Sequence, residues 1–316
     1  LGKESVTFLQ VDEASAGQRI DNFLLKTFKG VPKSHIYRIL RSGEVRVNKG
    51  RVGAERRLVP GDVIRVPPLR LPATSAPAAP PARAFDLVYE DEALLVIDKP
   101  AGVAVHGGSG VDFGVIEQLR RARPQAKFLE LAHRLDRETS GLLVIAKKRA
   151  TLLRLHELFR HGAIEKRYLA LVKGHWRDEL RHVRLPLFKY LTAEGERRVR
   201  VSSAGKAAHS IVRRVGRWRT PAGAFSLLEV ELKSGRTHQI RVHLAHLGFP
   251  ILGDEKYGDF ALNKALQKAG LKRMFLHALS LKMAHPESGA LLSLTAPLPA
   301  ELDDFMKRIE CASALN

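Results

Sequence analysis

The apolar positions of this chain recur with two different periods, and one run fits neither. Residues 142–146 are continuously apolar between Gly141 and Lys147, the pattern of a strand buried on both faces. The polar, turn-prone segment 133–141 leads into that strand, so whatever it carries rests on a stiff support. Residues 167–173 alternate as a strand, and Leu228, Val230 and Leu232 mark one face of a strand over 225–233. Further strands are predicted at 44–48, 63–66, 94–98, 128–132, 276–283 and 291–294. Helical spacing appears at Ile20, Phe23, Leu24 and Phe28, at Ile36, Ile39 and Leu40, and over 115–123. It returns at Leu152, Leu155, Leu158 and Phe159, and at Ile240, His243, Leu244 and Leu247. Gly30 ends the first helix, Pro32 suits the first turn of the second, and Gly248 suits a left-handed cap. Residues 189–219 read as loop-rich and basic. Helices and strands mix without strict βαβ alternation, which predicts an α+β fold.

The segment 71–84 interrupts this patterning with four prolines, six alanines and one charge. Such a composition predicts an extended spacer with a reach of about 40 Å. It divides the chain into a small module, 1–70, and a larger domain, 85–316. At 316 residues and 45% hydrophobic content, the chain is long enough for two cores.

Charge narrows the partners. The net charge is +20 and the pI is about 10.4, which implies a polyanion, nucleic acid first. No apolar run is long enough to span a bilayer, so no membrane partner is expected. The N-terminus lacks the layout of a signal peptide. The single cysteine, Cys311, excludes an internal disulfide and any multi-cysteine zinc site. A reducing cytosol fits this usage. Between residues 29 and 57 stand nine Lys/Arg (29, 33, 38, 41, 46, 49, 51, 56, 57) against Glu44 and Glu55. That one-sided bias favours phosphate contact over an ordinary solvated face. Helix, helix, then strand with RSGEVRVNKG resembles the S4 RNA-binding domain, which implies Lys33, Arg38, Arg41, Arg46 and Lys49 as RNA contacts.

Several chemistries are excluded. His156 and His161 are spaced i, i+5, so their rings point to different sides of a helix. His243, or less well His238, could share a face with His246, but no carboxylate or thiol cluster joins them, so no metal is expected. No glycine fingerprint for a nucleotide cofactor is present. The loop at 106–110 (HGGSG) lacks the Lys-Ser/Thr of a phosphate-binding loop and the second glycine of a nucleophile elbow.

What remains is Asp136, between Arg134 and Arg137 in HRLDRETSGLLVIAK, with Lys166-Arg167-Tyr168, GRTHQIRVH and LHA following in that order. By itself an Asp between two arginines is more often an ion-paired loop residue than a catalyst. Taken together, the motifs resemble the RluA-type pseudouridine synthases, from about residue 18 to about 309. The resemblance implies a mixed, largely antiparallel catalytic sheet. It also implies conversion of specific uridines to pseudouridine in large-subunit (23S) ribosomal RNA, on a flipped-out nucleotide and without a cofactor. Asp136 is then the essential carboxylate, either attacking C1′ or abstracting a sugar proton. Arg236 is its expected arginine partner, with Arg241 the second choice. Tyr168 offers a face for the uracil and a hydroxyl for the C5 proton. Arg134, His133 and Arg241 are expected to contact the target nucleotide, and the protein to act as a monomer on ribosomal RNA or a precursor particle. The competing reading is a non-catalytic RNA-binding or ribosome-assembly factor on the same scaffold.

Overall fold

The computed structural model describes residues 5–28, 30–69, 80–107, 113–193 and 195–314. The chain separates into two compact units, 1–79 and 80–316. Residues 71–79 of the expected spacer and 108–110 of the glycine-rich segment lie outside the described residues.

The first unit runs β1 (Thr7–Gln10), α1 (Ile20–Thr27), α2 (Lys33–Arg41), β2 (Arg46–Val47), β3 (Gly50–Arg51) and β4 (Val63–Val66). Ile20 and Leu24 of α1 and Ile36, Ile39 and Leu40 of α2 pack on Val45, Val47, Ile64 and Val66. Each of these apolar side chains contributes roughly 1.5–3 kcal/mol by leaving water. The strand expected over 44–48 pairs at only two residues. Asn48 and Lys49 then turn the chain with φ of 47° and 69°, a hairpin geometry that matches strand twist. The antiparallel order is β1-β4-β2-β3. Its register sets Phe8, Arg65, Arg46 and Arg51 side by side across four strands. Val47, Ile64 and Val66 occupy the alternate, buried positions of β2 and β4, so this row stands on the outer face.

The larger unit begins with β5 (Asp86–Glu90), β6 (Leu94–Lys99), α3 (Val115–Ala122), β7 (Glu130–Leu131), β8 (Ser140–Ala146) and α4 (Arg149–Arg160). It continues with β9 (Glu165–Lys173), β10 (Leu180–Val183), β11 (Leu187–Leu191), β12 (Arg197–Val201), β13 (Ser210–Thr220) and β14 (Gly223–Leu232). It ends with α5 (Gln239–His246), α6 (Phe260–Lys268), β15 (Leu276–Ala284), β16 (Leu291–Thr295) and α7 (Ala300–Ala314). The main sheet follows β10-β13-β14-β9-β15-β8-β6-β5, with β16 added to β15 and β7 to β8. Its pairings are antiparallel except β15 with β8. This is the α+β fold with a mixed, largely antiparallel sheet.

β8 is buried along its whole length. Leu143 and Ile145 join the core beneath α3 and α5, while Leu142, Val144 and Ala146 join the core beneath α4. The unbroken apolar run therefore serves two layers through a period of two.

One expectation is corrected. Residues 189–219 are not loop-rich: they hold most of β11, all of β12 and most of β13, with β11 and β12 forming a separate hairpin. Arg213, Arg217 and Arg219 occupy three of the four exposed positions of β13 while Ser210 and Val212 point inward. A bulge between Arg214 and Gly216 then breaks the alternation, and together these hid the strand from a hydrophobic count.

Candidate active site

The loop ahead of β8 is held from several sides. His133 Nε2 accepts the Val144 N–H at 3.0 Å, and burial drops its pKa to about 3. The ring is therefore neutral, with Nε2 engaged by that amide. Lys99 is fully buried at the end of β6 and donates Nζ to the carbonyls of Pro100, Val103 and Arg137. Burial and the nearby Arg273 pull its pKa down to about 7. Arg273 itself donates to Ser140 Oγ at 2.8 Å. At Gly141 the backbone has φ of 107°, and a Cβ would fall 2.3 Å from the Ala278 carbonyl oxygen. Glycine is required there for β8 to lie parallel against β15.

Asp136 projects from this loop with a fifth of its side chain exposed. Its Oδ2 accepts from Arg241 Nη1 at 3.1 Å. Arg241 is buried on α5 and grips Asp254 with its other two nitrogens, at 2.7 and 2.8 Å. Asp254 also accepts the N–H groups of Lys256 and Tyr257. Burial alone would raise the Asp254 carboxyl, but these bonds outweigh it and hold its pKa below the ordinary value. Burial alone would likewise lower the Arg241 pKa, but Asp254 and Asp136 raise it. The result is one guanidinium shared by two carboxylates.

The expected pairing of Asp136 with Arg236 is corrected. Arg236 Nε donates to the Ala207 carbonyl at 3.1 Å, and its side chain lies exposed at the cavity edge. The loop before α5 is tied down by Gln239, which accepts the Arg236 N–H at 3.0 Å and donates to the His209 carbonyl and Ser210 Oγ. Arg241, two residues beyond Gln239, is carried one half-turn round to the inner face, where burial requires carboxylate partners.

Tyr168 is buried on β9, between Val230 of β14 and Ala278 of β15. Burial and then Asp136 push its phenol pKa well up, so the hydroxyl stays protonated at neutral pH. A cavity of about 810 Å³ is lined by His133, Asp136, Tyr168, Arg236, His238 and Arg241, among others. Arg134 is exposed and lines its rim. In the N-terminal unit Lys33, Arg38, Arg41, Arg46 and Lys49 are all exposed. Among the described residues no group of three His, Cys, Asp or Glu side chains is placed to hold a metal, and no helix is long and apolar enough to cross a membrane.

A sequence profile described as RNA pseudouridylate synthase matches residues 93–246, and the S4 domain profile matches 18–64. The ribosomal large subunit pseudouridine synthase C of Pasteurella multocida (strain Pm70) is 48% identical, covering 96% of this chain and 94% of its own. The protein of that name from Escherichia coli (strain K12) is 47% identical, covering 98% of both chains. The chain belongs to the RNA pseudouridine synthases. Among solved structures, human RNA pseudouridylate synthase domain containing 1 superposes with a TM-score of 0.58 at 26% identity, covering 70% of this chain and 87% of its own.

As an RNA pseudouridine synthase the protein is an isomerase acting on uridine in RNA. Two features of the site escaped sequence reasoning. Asp254 sits in an LGDEKYGD stretch with neither period, and nothing local marks it as the second carboxylate on Arg241. His238 and Tyr257 meet through a hydrogen bond across 19 residues, a contact with no sequence signal.

Proposed function

We propose that this enzyme isomerises uridines of large-subunit ribosomal RNA, with Asp136 as the carboxylate that acts on the ribose. Its bacterial relatives carry that substrate in their names, and the +20 charge suits a long polyanion. The observation that carries the reading is Asp136 itself: one oxygen is held by Arg241, and the other has no hydrogen-bond partner among the described residues and faces the cavity. Isomerisation breaks the N1–C1′ bond, forms C5–C1′, and moves the C5 proton to N1, so atoms balance without a redox partner. Arg241 aims the carboxylate by two fixed nitrogens on Asp254 and one on Asp136. Tyr168 supplies a flat wall for the extruded uracil. Its protonated hydroxyl favours that stacking role over service as a resting base. Arg134 and Arg236, exposed at the cavity edge, meet backbone phosphates.

The module 1–70 anchors the RNA through its exposed lysines and arginines, the segment 71–84 is the linker, and 85–316 performs the reaction. We place this work in the cytoplasm, by a monomer, on ribosomal RNA or an assembling particle. The test is tritium release from uracil C5 in labelled large-subunit RNA. Wild-type protein should release tritium and Asp136→Asn should not, while both bind the RNA within a few fold. Turnover by Asp136→Asn would remove the proposal.

A further inference from the structure

His238 has a geometry that the roles of Asp136, Arg241 and Tyr168 leave unused. It stands just before α5 with φ of 52°, in the left-handed region, a conformation costing a non-glycine residue about 1 kcal/mol or more. Its Nδ1 lies 2.8 Å from the Tyr257 hydroxyl. That hydroxyl oxygen accepts the Val199 N–H of β12 at 3.0 Å. Burial pushes the Tyr257 phenol up to about 12, so it keeps its proton. Among the described residues the hydroxyl has no other acceptor than Nδ1. Burial lowers the His238 pKa, so the ring is neutral at pH 7. A neutral imidazole that accepts at Nδ1 carries its one proton on Nε2. The tautomer is thus fixed by a strand amide acting through a tyrosine.

The Nε2–H group lines the cavity 3.8 Å from Asp136 Oδ1, too far for a hydrogen bond. A donor and a carboxylate oxygen therefore flank one gap, and neither is satisfied across it. The group that fits both is a hydroxyl, which accepts from one side and donates to the other. A uracil carbonyl could only accept. If Asp136 is the acting carboxylate, on which this inference rests, the hydroxyl nearest the reacting ribose carbons is the one on C2′. We propose that His238 Nε2–H donates to the 2′-oxygen of the target uridine while that hydroxyl donates to Asp136, so that His238 reads ribose at the site of reaction. This is recognition of the group that distinguishes RNA from DNA.

Two variants separate this role from a structural one. Asn tolerates the left-handed backbone better than Gln does, so a purely structural role favours His238→Asn. The Gln amide nitrogen reaches the place of Nε2, whereas that of Asn stops at the place of Nδ1, so a donor role favours His238→Gln. The measurement is competition against labelled large-subunit RNA by two unlabelled transcripts, one with uridine and one with 2′-fluorouridine, which neither donates nor accepts well. Wild-type protein should prefer the uridine transcript by about two- to tenfold more than His238→Asn does, the range of one hydrogen bond. His238→Gln should recover part of that preference and turn over faster than His238→Asn. An unchanged preference in His238→Asn, or Gln falling below Asn, overturns the inference. Either result beside an inactive Asp136→Asn leaves the role of Asp136 standing, whereas an active Asp136→Asn removes the foundation of both.

Discussion

In the larger unit Arg241 is buried, and each nitrogen of its guanidinium is matched to a carboxylate oxygen. In the N-terminal unit Arg46 and Arg51 stand exposed beside Arg65 on the outer face of the sheet, and among the described residues no carboxylate pairs with any of the three. Like charges opposite each other on neighbouring strands are destabilising, so a polyanion laid along that row would relieve repulsion. Arg241 does the reverse: its charge is used inside the protein and fixes where a second charge, Asp136, points. The same side chain is a positioning strut where burial and carboxylates hold it, and is open to a phosphate where no carboxylate pairs with it.

The widest split between the two regions is in chemistry. Asp136→Asn should lower isomerisation by at least about a thousandfold in the tritium-release assay, the scale of losing a group that acts in the transition state. The alanine variants of the N-terminal row should leave turnover at saturating RNA unchanged. Next comes stability. Arg241→Met strands Asp254 in the interior and should cost about 3–5 kcal/mol in urea unfolding, as breaking a buried ion pair does. Converting Arg46, Arg51 and Arg65 together to Ala should leave stability equal or slightly higher.

Acid should sharpen the contrast from another side. His133 and His277 are held neutral in the fold, by burial above all, at pKa values of about 3 and about 4. The unfolded chain takes up these protons first, near pH 6.5. Stability from this source is thus complete above pH 6.5 and declines as pH falls toward 4. Both tryptophans, Trp176 and Trp218, lie in the larger unit. Their fluorescence should show its thermal midpoint dropping over that pH window, and a flat midpoint would contradict the burial of these rings.

Smaller effects belong to the exposed arginines. The triple alanine variant of the N-terminal row should reduce the log–log salt slope of RNA binding by about 2–3, at roughly 0.7–0.9 for each phosphate no longer neutralised. An unchanged slope would mean that the row faces solvent in the complex. Arg236→Ala should stay within about 0.5 kcal/mol of wild-type stability, as exposed substitutions usually do, and lower turnover by only a few fold. A loss as deep as that of Arg241→Met would restore Arg236 as the main partner of Asp136.

The order of elements was largely legible from hydrophobic spacing. The run at 142–146 announced a doubly buried strand and β8 is one. The spacing of Ile20, Leu24, Ile36 and Ile39 announced the helix pair of the N-terminal unit. Hydrophobic counting failed where charge masked alternation, in β11 to β13, because an exposed strand face can be mostly arginine without ceasing to be a strand. Asp136, Tyr168 and the GRTHQIR segment could be chosen from sequence through the resemblance of their motifs, in chain order, to a known family; spacing alone left Asp136 an ion-paired loop residue.

What the sequence could not decide is which charge meets which. Arg236 and Arg241 differ by five residues, more than one helical turn, and only the start of α5 settles that the second points inward. Asp254 becomes its partner through the packing of a segment with no period at all. The tautomer of His238 depends on an amide of β12, some forty residues earlier in the chain. Periodicity records how one element meets solvent and core, and so it is written locally. Ion pairs and hydrogen-bond relays form between elements, and their partners exist only once the chain has closed on itself.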